Sequence, residues 1–187
     1  MLLNEHAELR AMLRSILRML DRGPQDAPER FFDVLRAMLF YIDEFPERCH
    51  HPKESDFLFP HLLRLAPELF PTIEKLEKDH MQGESMVRSL QHALIAWEML
   101  GESRSSAFIE AARDYAARYM EHMQLEESMV LPAATALFGK KDWKHLNAAF
   151  GTSYAPFVGT VPPHSHYDRL YFKIMANAPA PIGAARG

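Results

Sequence analysis

Two stretches of this chain carry a histidine, a glutamate and a proline at matching distances: HHPKESDFLFP (50–60) and HMQLEESMVLP (122–132). Both read His-x3-Glu-x5-Pro, through His50, Glu54 and Pro60 and through His122, Glu126 and Pro132. A single histidine precedes each at a similar separation, His6 before His50 and His80 before His122, in the rhyming contexts Asn-Glu-His6 and Lys-Asp-His80. Residues i and i+4 sit one above the other on a helix face, so a His and a Glu at this spacing can bind one ion together. The carboxylate can also bridge to a second ion. About one His-x3-Glu pair is expected by chance in a chain of this composition. Three occur, the third being His80/Glu84, but only two share the downstream proline and the upstream histidine.

The elements that must position these groups read as helices. Residues 2–21 carry Leu2, Leu3, Leu9, Leu13, Ile16, Leu17 and Leu20 at helical spacing, stopped by Gly23-Pro24. Asp26 as N-cap and Pro28 open a second helix through Phe31, Leu35, Met38, Leu39 and Ile42. Pro46 and Pro52 should kink it or interrupt its hydrogen bonding before the pattern resumes at Phe57, Leu58, Leu62 and Leu65. A third helix spans about 72–100, through Ile73, Leu76, Val87, Leu90, Leu94 and Ile95, and a fourth about 103–138. No alternating strand pattern interrupts residues 1–139. The expected fold is all-α, an antiparallel up-down four-helix bundle over 1–139 with a C-terminal arm over 140–187. The arm should hold a short helix near Trp143–Phe150, an apolar piece at Leu170–Met175 and a mobile close, ANAPAPIGAARG.

On these helices His6 shares a stripe with Leu2, Leu9, Leu13 and Leu17, and His80 one with Ile73, Val87 and Leu94. Four imidazoles and two carboxylates then point inward. Burying them without partners costs several kcal/mol per charge, which metal coordination would offset. Imidazole and carboxylate from facing helices suit iron, manganese or zinc, and bundle cores are known to house such di-metal sites. His51, about 100° round the helix from His50, is expected at the rim. Tyr119, one turn before His122, reads as core packing, as does Cys49; His61, His92 and His145 read as surface or packing residues. His164-Ser165-His166 sits in a Pro-rich stretch with little preorganisation for a metal.

The bulk numbers narrow the classes. A net charge of −4 with scattered Lys and Arg argues against nucleic acid. Apolar runs are short, so no membrane partner is expected. One cysteine and a start without a secretory pattern give a cytoplasmic expectation.

As a set, His … His-x3-Glu … His … His-x3-Glu on four helices resembles the haemerythrin-like, HHE cation-binding domains, and FPERCHHPKESDFLFP resembles their bacterial branch. The resemblance covers about residues 3–138. It implies a non-haem di-iron site, with two oxo- or hydroxo-bridged ions. His6, His50, His80 and His122 would be the terminal ligands, and Glu54 and Glu126 the bridges. The family's oxygen carriers have two histidines on the third helix. Here only His80 is found, with Glu84 or Glu77 as the acids that could take the missing place. A carboxylate-rich site implies redox chemistry or sensing of oxygen, nitric oxide or peroxide rather than simple oxygen storage. The alternatives are a metal- or oxygen-dependent regulatory module without turnover, or a single-metal protein. The arm could pack on the bundle or form a homodimer.

Overall fold

The structure is a computed structural model that describes residues 2–150 and 168–183. Four helical rods carry the fold. The first is Leu2–Arg22, ended by Gly23 at φ +69°, whose N–H closes the last turn on Met19. Such a backbone is strained for any residue with a Cβ, so a glycine stop is what the position needs. The second rod begins at Pro28–Ile42 and ends at Phe59–Leu65. Its N-cap is Ala27 without a side-chain hydrogen bond, so Asp26 does not cap it. The third is Phe70–Leu100, and the fourth runs from Ser105–Leu125 to Leu131–Leu137. No strand occurs among the described residues.

The prolines expected to break the second rod widen it instead. Asp43–His50 and Glu54–Leu58 are π-helical, and so is Glu126–Val130 in the fourth rod. Each wide turn closes with an N–H bonded five residues back: His51 to Pro46, Phe59 to Glu54 and Leu131 to Glu126. Each closing residue immediately precedes a proline, Pro52, Pro60 or Pro132. A proline ring clashes with the carbonyl four residues back in an α-helix, and an extra residue in the turn moves that carbonyl away.

Contacts along neighbouring rods run in opposite sequence order. Arg36 bonds Glu98 and Ser55 bonds Glu77 between the second and third rods; Arg10 pairs with Glu127 and Arg113 with Asp21 between the first and fourth. The buried apolar residues fall into two clusters. The larger contains Met12, Leu35, Met38, Leu94, Phe108 and Tyr115. The smaller contains Leu58, Leu62, Ile73, Leu76, Val130 and Leu146. Ile95, read as part of the apolar stripe, is exposed.

The arm includes a helix, Lys140–Phe150, whose Leu146 joins the smaller cluster. A further helix, Asp168–Asn177, forms where the sequence showed only an apolar piece, and Ile174 is fully buried in the larger cluster. The close of the chain, expected to be mobile, is pinned as far as Gly183. Ser15 Oγ donates to the Pro179 carbonyl at 2.8 Å and accepts from the Ile182 N–H at 3.1 Å, while Ala178 and Ile182 are buried. Residues 184–187 and His164-Ser165-His166 lie outside the described residues.

Lys173 Nζ lies 2.7 Å from Asp33, tying this last helix to the second rod. Its hydrogen bond, with that of Arg36, holds the Asp33 carboxyl below the usual aspartate range. A depressed folded pKa adds stability above the unfolded value and loses it as pH falls through the folded one. Asp33 is about half exposed, so the contribution stays below about 1 kcal/mol. Amide-exchange protection of Asp168–Asn177 is therefore expected to drop modestly as pH falls below 3.8, the ordinary aspartate value. Asp33→Asn should show the lower protection already at neutral pH. An unchanged acid response in Asp33→Asn would assign the effect elsewhere.

Candidate metal centre

Between the two apolar clusters the four rods meet in a polar layer. His6, His50, Glu54, His80, His122 and Glu126 are all buried there, the two carboxylates at 1% exposure. Glu54 Oε1 lies 3.3 Å from His50 Nε2, and its Oε2 lies 3.6 Å from His80 Nε2. Glu126 mirrors this arrangement, with Oε2 at 3.2 Å from His6 Nε2 and Oε1 at 3.4 Å from His122 Nε2. Each carboxylate thus gives one oxygen to the first-and-second-rod pair and the other to the third-and-fourth-rod pair. His80 Nε2 and His122 Nε2 approach to 3.2 Å.

The outward nitrogen of every ring is tied down. His6 Nδ1 meets Glu127 at 3.0 Å, His50 Nδ1 meets Glu5 at 2.6 Å and His122 Nδ1 meets Asp79 at 3.4 Å. His80 Nδ1 is 3.1 Å from Ser55 Oγ, which donates to Glu77 at 2.8 Å. Anchoring Nδ1 to an acceptor fixes the ring and leaves the Nε2 lone pair free to ligate. The anchors repeat as the histidines and glutamates of the layer do. Glu5, beside His6, holds His50; Asp79, beside His80, holds His122. Glu127 follows Glu126 and holds His6, as Ser55 follows Glu54 and holds His80. The Asn-Glu-His and Lys-Asp-His contexts were the sequence signal for two of these, but each acid serves the histidine on the neighbouring rod.

His51 departs from its expected place at the rim. It is 5% exposed and stacks on His80 with ring centroids 4.1 Å apart. A rod in a four-rod square faces two neighbours about a right angle apart, so the turn of about 100° from His50 to His51 swings between neighbours. His50 meets the first rod, and His51 meets the third and fourth. His51, His80 and His122 can bring one nitrogen each within 4.8 Å of one another. His6, His50, Glu54 and Glu126 form a second such set, and Glu54, His80, His122 and Glu126 a third. Glu84 lies outside the layer: it is exposed and pairs with Arg88, because the buried stripe of the third rod runs from His80 through Gly83 and Val87. Glu77 is half-buried and reaches His80 only through Ser55.

Electrostatics mark the layer as a place for cations. Burial works against a charged His50 ring, but Glu54 and Glu5 outweigh it and raise its pKa well above the usual histidine value. His122 rises to about 9 against its burial, through Asp79 and Glu126. His51 and His80 go down, from burial first and then from neighbouring charged rings. Burial and the facing Glu126 push Glu54 up, whereas the close polar contacts of the His122 and His6 rings overcome burial to hold Glu126 down. Glu54 Oε2, both Glu126 oxygens and His6 Nε2 have no hydrogen-bond partner, though all are buried. Unpartnered anionic oxygens aimed at imidazole nitrogens across one gap fit divalent cations well.

Behind His51 stands Glu47, which no sequence motif singles out. Glu47 accepts from His51 Nδ1 at 3.1 Å, from Tyr115 at 3.0 Å and from Tyr119 in a shorter contact. Burial pushes its carboxyl up to about 7. Tyr119, expected as packing, stacks on His51 at 5.7 Å. Gly83 on the third rod makes room, since a Cβ there would lie 2.7 Å from Glu47 Oε1. Gly83→Ala would gain about 1 kcal/mol of helix propensity. It would also disturb hydrogen bonds to a buried carboxylate worth about 1.5–3 kcal/mol each. The second effect wins, so Gly83→Ala is expected to destabilise the protein in denaturant titrations. A stabilised variant would mean that Glu47 shifts freely.

The hemerythrin HHE cation binding domain family matches residues 1–134. No curated protein and no solved structure matches the chain. Among the described residues no helix is long and apolar enough to cross a membrane. The family match covers most of the chain and spans all four rods to within a turn of the end, so this chain belongs to the hemerythrin HHE cation-binding family.

Proposed function

We propose that the polar layer holds two iron ions and that the protein binds or reduces a small oxidant there: oxygen, nitric oxide or peroxide. The observation that carries this reading is the split of each carboxylate, one oxygen toward His6 and His50 and the other toward His80 and His122. A carboxylate chelating one ion would turn both oxygens to one side, whereas each of these reaches both histidine pairs. His51 supplies a fifth imidazole, on the His80 and His122 side, from the second rod rather than the third. The donor set, five imidazoles and two carboxylates, suits iron better than the thiolate-rich sets of structural zinc.

When bound, such an iron pair supplies electrons and a coordination position for a small molecule. The chain supplies the rest. Glu5, Glu127, Asp79, Ser55 and Glu47 orient the imidazoles. Leu58, Phe59, Leu62, Leu76 and Val130 close one side of the layer and keep bulk water out. The side with two imidazoles is less crowded by protein donors than the side with three, and is where a small ligand fits.

Iron content per chain, measured together with the visible spectrum, tests this reading. Two irons with bridged ferric bands, both lost in His122→Ala, is the expected result. A single ion, or a colourless zinc protein, would overturn it.

A further inference from the structure

The two halves of the site match ligand for ligand and anchor for anchor, except at one place. Where the second rod has Glu47 and His51, the equivalent positions of the fourth rod are Tyr119 and Met123. The exception is a buried polar cluster that metal binding alone does not require. Tyr115 and Tyr119, one turn apart, both donate to Glu47 Oε1, and their rings lie 4.7 Å apart. Tyr119 is 5.7 Å from the His51 ring and 6.0 Å from the His122 ring. On their other side, Tyr115, Tyr119 and His122 floor a cleft rimmed by Asp79, Gln82 and Arg118. Its volume of about 20 Å³ accommodates one water molecule. The two phenols therefore form a continuous aromatic path from the ligand layer to a surface opening, with one carboxylate placed against both hydroxyls.

A phenol in a low-dielectric interior cannot lose an electron and keep its proton, because the resulting cation is uncompensated. A hydrogen-bonded carboxylate removes that obstacle, since the proton leaves with the electron and the ring stays neutral. We propose that Tyr119 and Tyr115 are a redox-active pair that supplies electrons to a peroxide reduced at the histidine–carboxylate layer. The inference rests on the proposed iron site. In balance, two tyrosines and one hydrogen peroxide give two neutral tyrosyl radicals and two waters. The O–O bond breaks, each phenolic O–H breaks, and each tyrosine gives one electron and one proton, the proton passing by way of Glu47. An ascorbate-class reductant at the cleft returns two electrons and two protons and leaves as dehydroascorbate. The pair would thereby spare the ligands when an oxidant arrives and no other donor is docked.

The test uses the full chain loaded with iron, with metal content measured before any peroxide is added. One equivalent of hydrogen peroxide is mixed in, the sample is freeze-quenched, and its electron paramagnetic resonance spectrum is recorded. A tyrosyl radical signal, shaped by coupling between the two adjacent rings and altered when the protein is grown on ring-deuterated tyrosine, is expected, and ascorbate should abolish it. Tyr119→Phe should lose the signal at unchanged iron content, whereas Tyr41→Phe, whose hydroxyl bonds Glu8 instead, should keep it. Should Tyr119→Phe fail to fold, a nitroso spin trap on the wild-type protein should label the peptide bearing Tyr115 and Tyr119. Iron-loaded protein that consumes peroxide without a tyrosyl signal, or a signal that survives in folded Tyr119→Phe, would overturn the inference. A chain that takes up no iron overturns the proposed function first, seen in the metal content alone, and this inference with it.

Discussion

Glu54→Gln is expected to leave the metal-free protein at least as stable as wild type while removing its capacity for the two proposed ions. The two effects have different origins. Without cations, Glu54 is a buried carboxyl facing Glu126, and burial together with that charge penalises its ionised form. The amide keeps the volume and drops the charge, which is neutral to mildly stabilising, by about 1 kcal/mol at most. With cations, the same residue is the one that gives an oxygen to each histidine pair, so its loss weakens both positions at once. Removing a partner that merely orients a ligand costs about 10- to 100-fold in affinity. Losing a shared ligand should cost more than Glu127→Ala, which only frees the His6 ring. Iron per chain and thermal melts of the metal-free variants measure both sides. Glu54→Gln that still binds two ions would remove Glu54 from the ligand set.

Metal removal is expected to divide the molecule's unfolding into two steps. The polar layer separates the larger apolar cluster from the smaller one, and among the described residues the smaller holds eleven buried side chains. Ions held from all four rods, as proposed, would bind the folded layer and not the unfolded chain. Each site filled at about a thousandfold over its dissociation constant adds about 4 kcal/mol. Without that contribution the end of the bundle built on Leu58, Leu62, Ile73, Leu76 and Val130 should open before the rest. Hydrogen exchange in the metal-free protein should therefore show fast amides across 54–76 and 126–146 and slow amides around Leu35, Met38, Leu94 and Phe108. With metal, both regions should exchange together. A single cooperative transition in both states would mean that the smaller cluster is held by its own packing.

Much of this arrangement is legible in the chain. The apolar stripes gave the four rods, and the doubled His-x3-Glu-x5-Pro with its upstream histidines gave six residues that the structure brings into one layer. What was missed depends on packing that one helix does not reveal. A wheel drawn for the second rod shows His51 about 100° away from His50, and only the presence of two neighbours turns that angle from solvent into core. Glu47 was hidden for the same reason, since its tyrosine partners come from the fourth rod and the room it occupies from Gly83 on the third. Glu84 sat at a spacing that repeats the His-x3-Glu motif, yet its side chain is exposed and pairs with Arg88. The docking of the last helix on Asp33 and Ser15 depends on contacts more than a hundred residues apart and left no local trace.

The wide turns that precede Pro52, Pro60 and Pro132 bear on whether this centre can be transplanted. Each one inserts a residue into the helical count, so everything beyond it is rotated by about 100° relative to an unbroken α-helix. Copying the histidines and glutamates onto straight helices of equal length would aim part of the constellation at solvent. A recipient scaffold must also receive the extra residue and the proline behind it. By the same arithmetic, deleting one residue within 127–130 leaves every proposed ligand in the sequence and turns the rod beyond it out of phase.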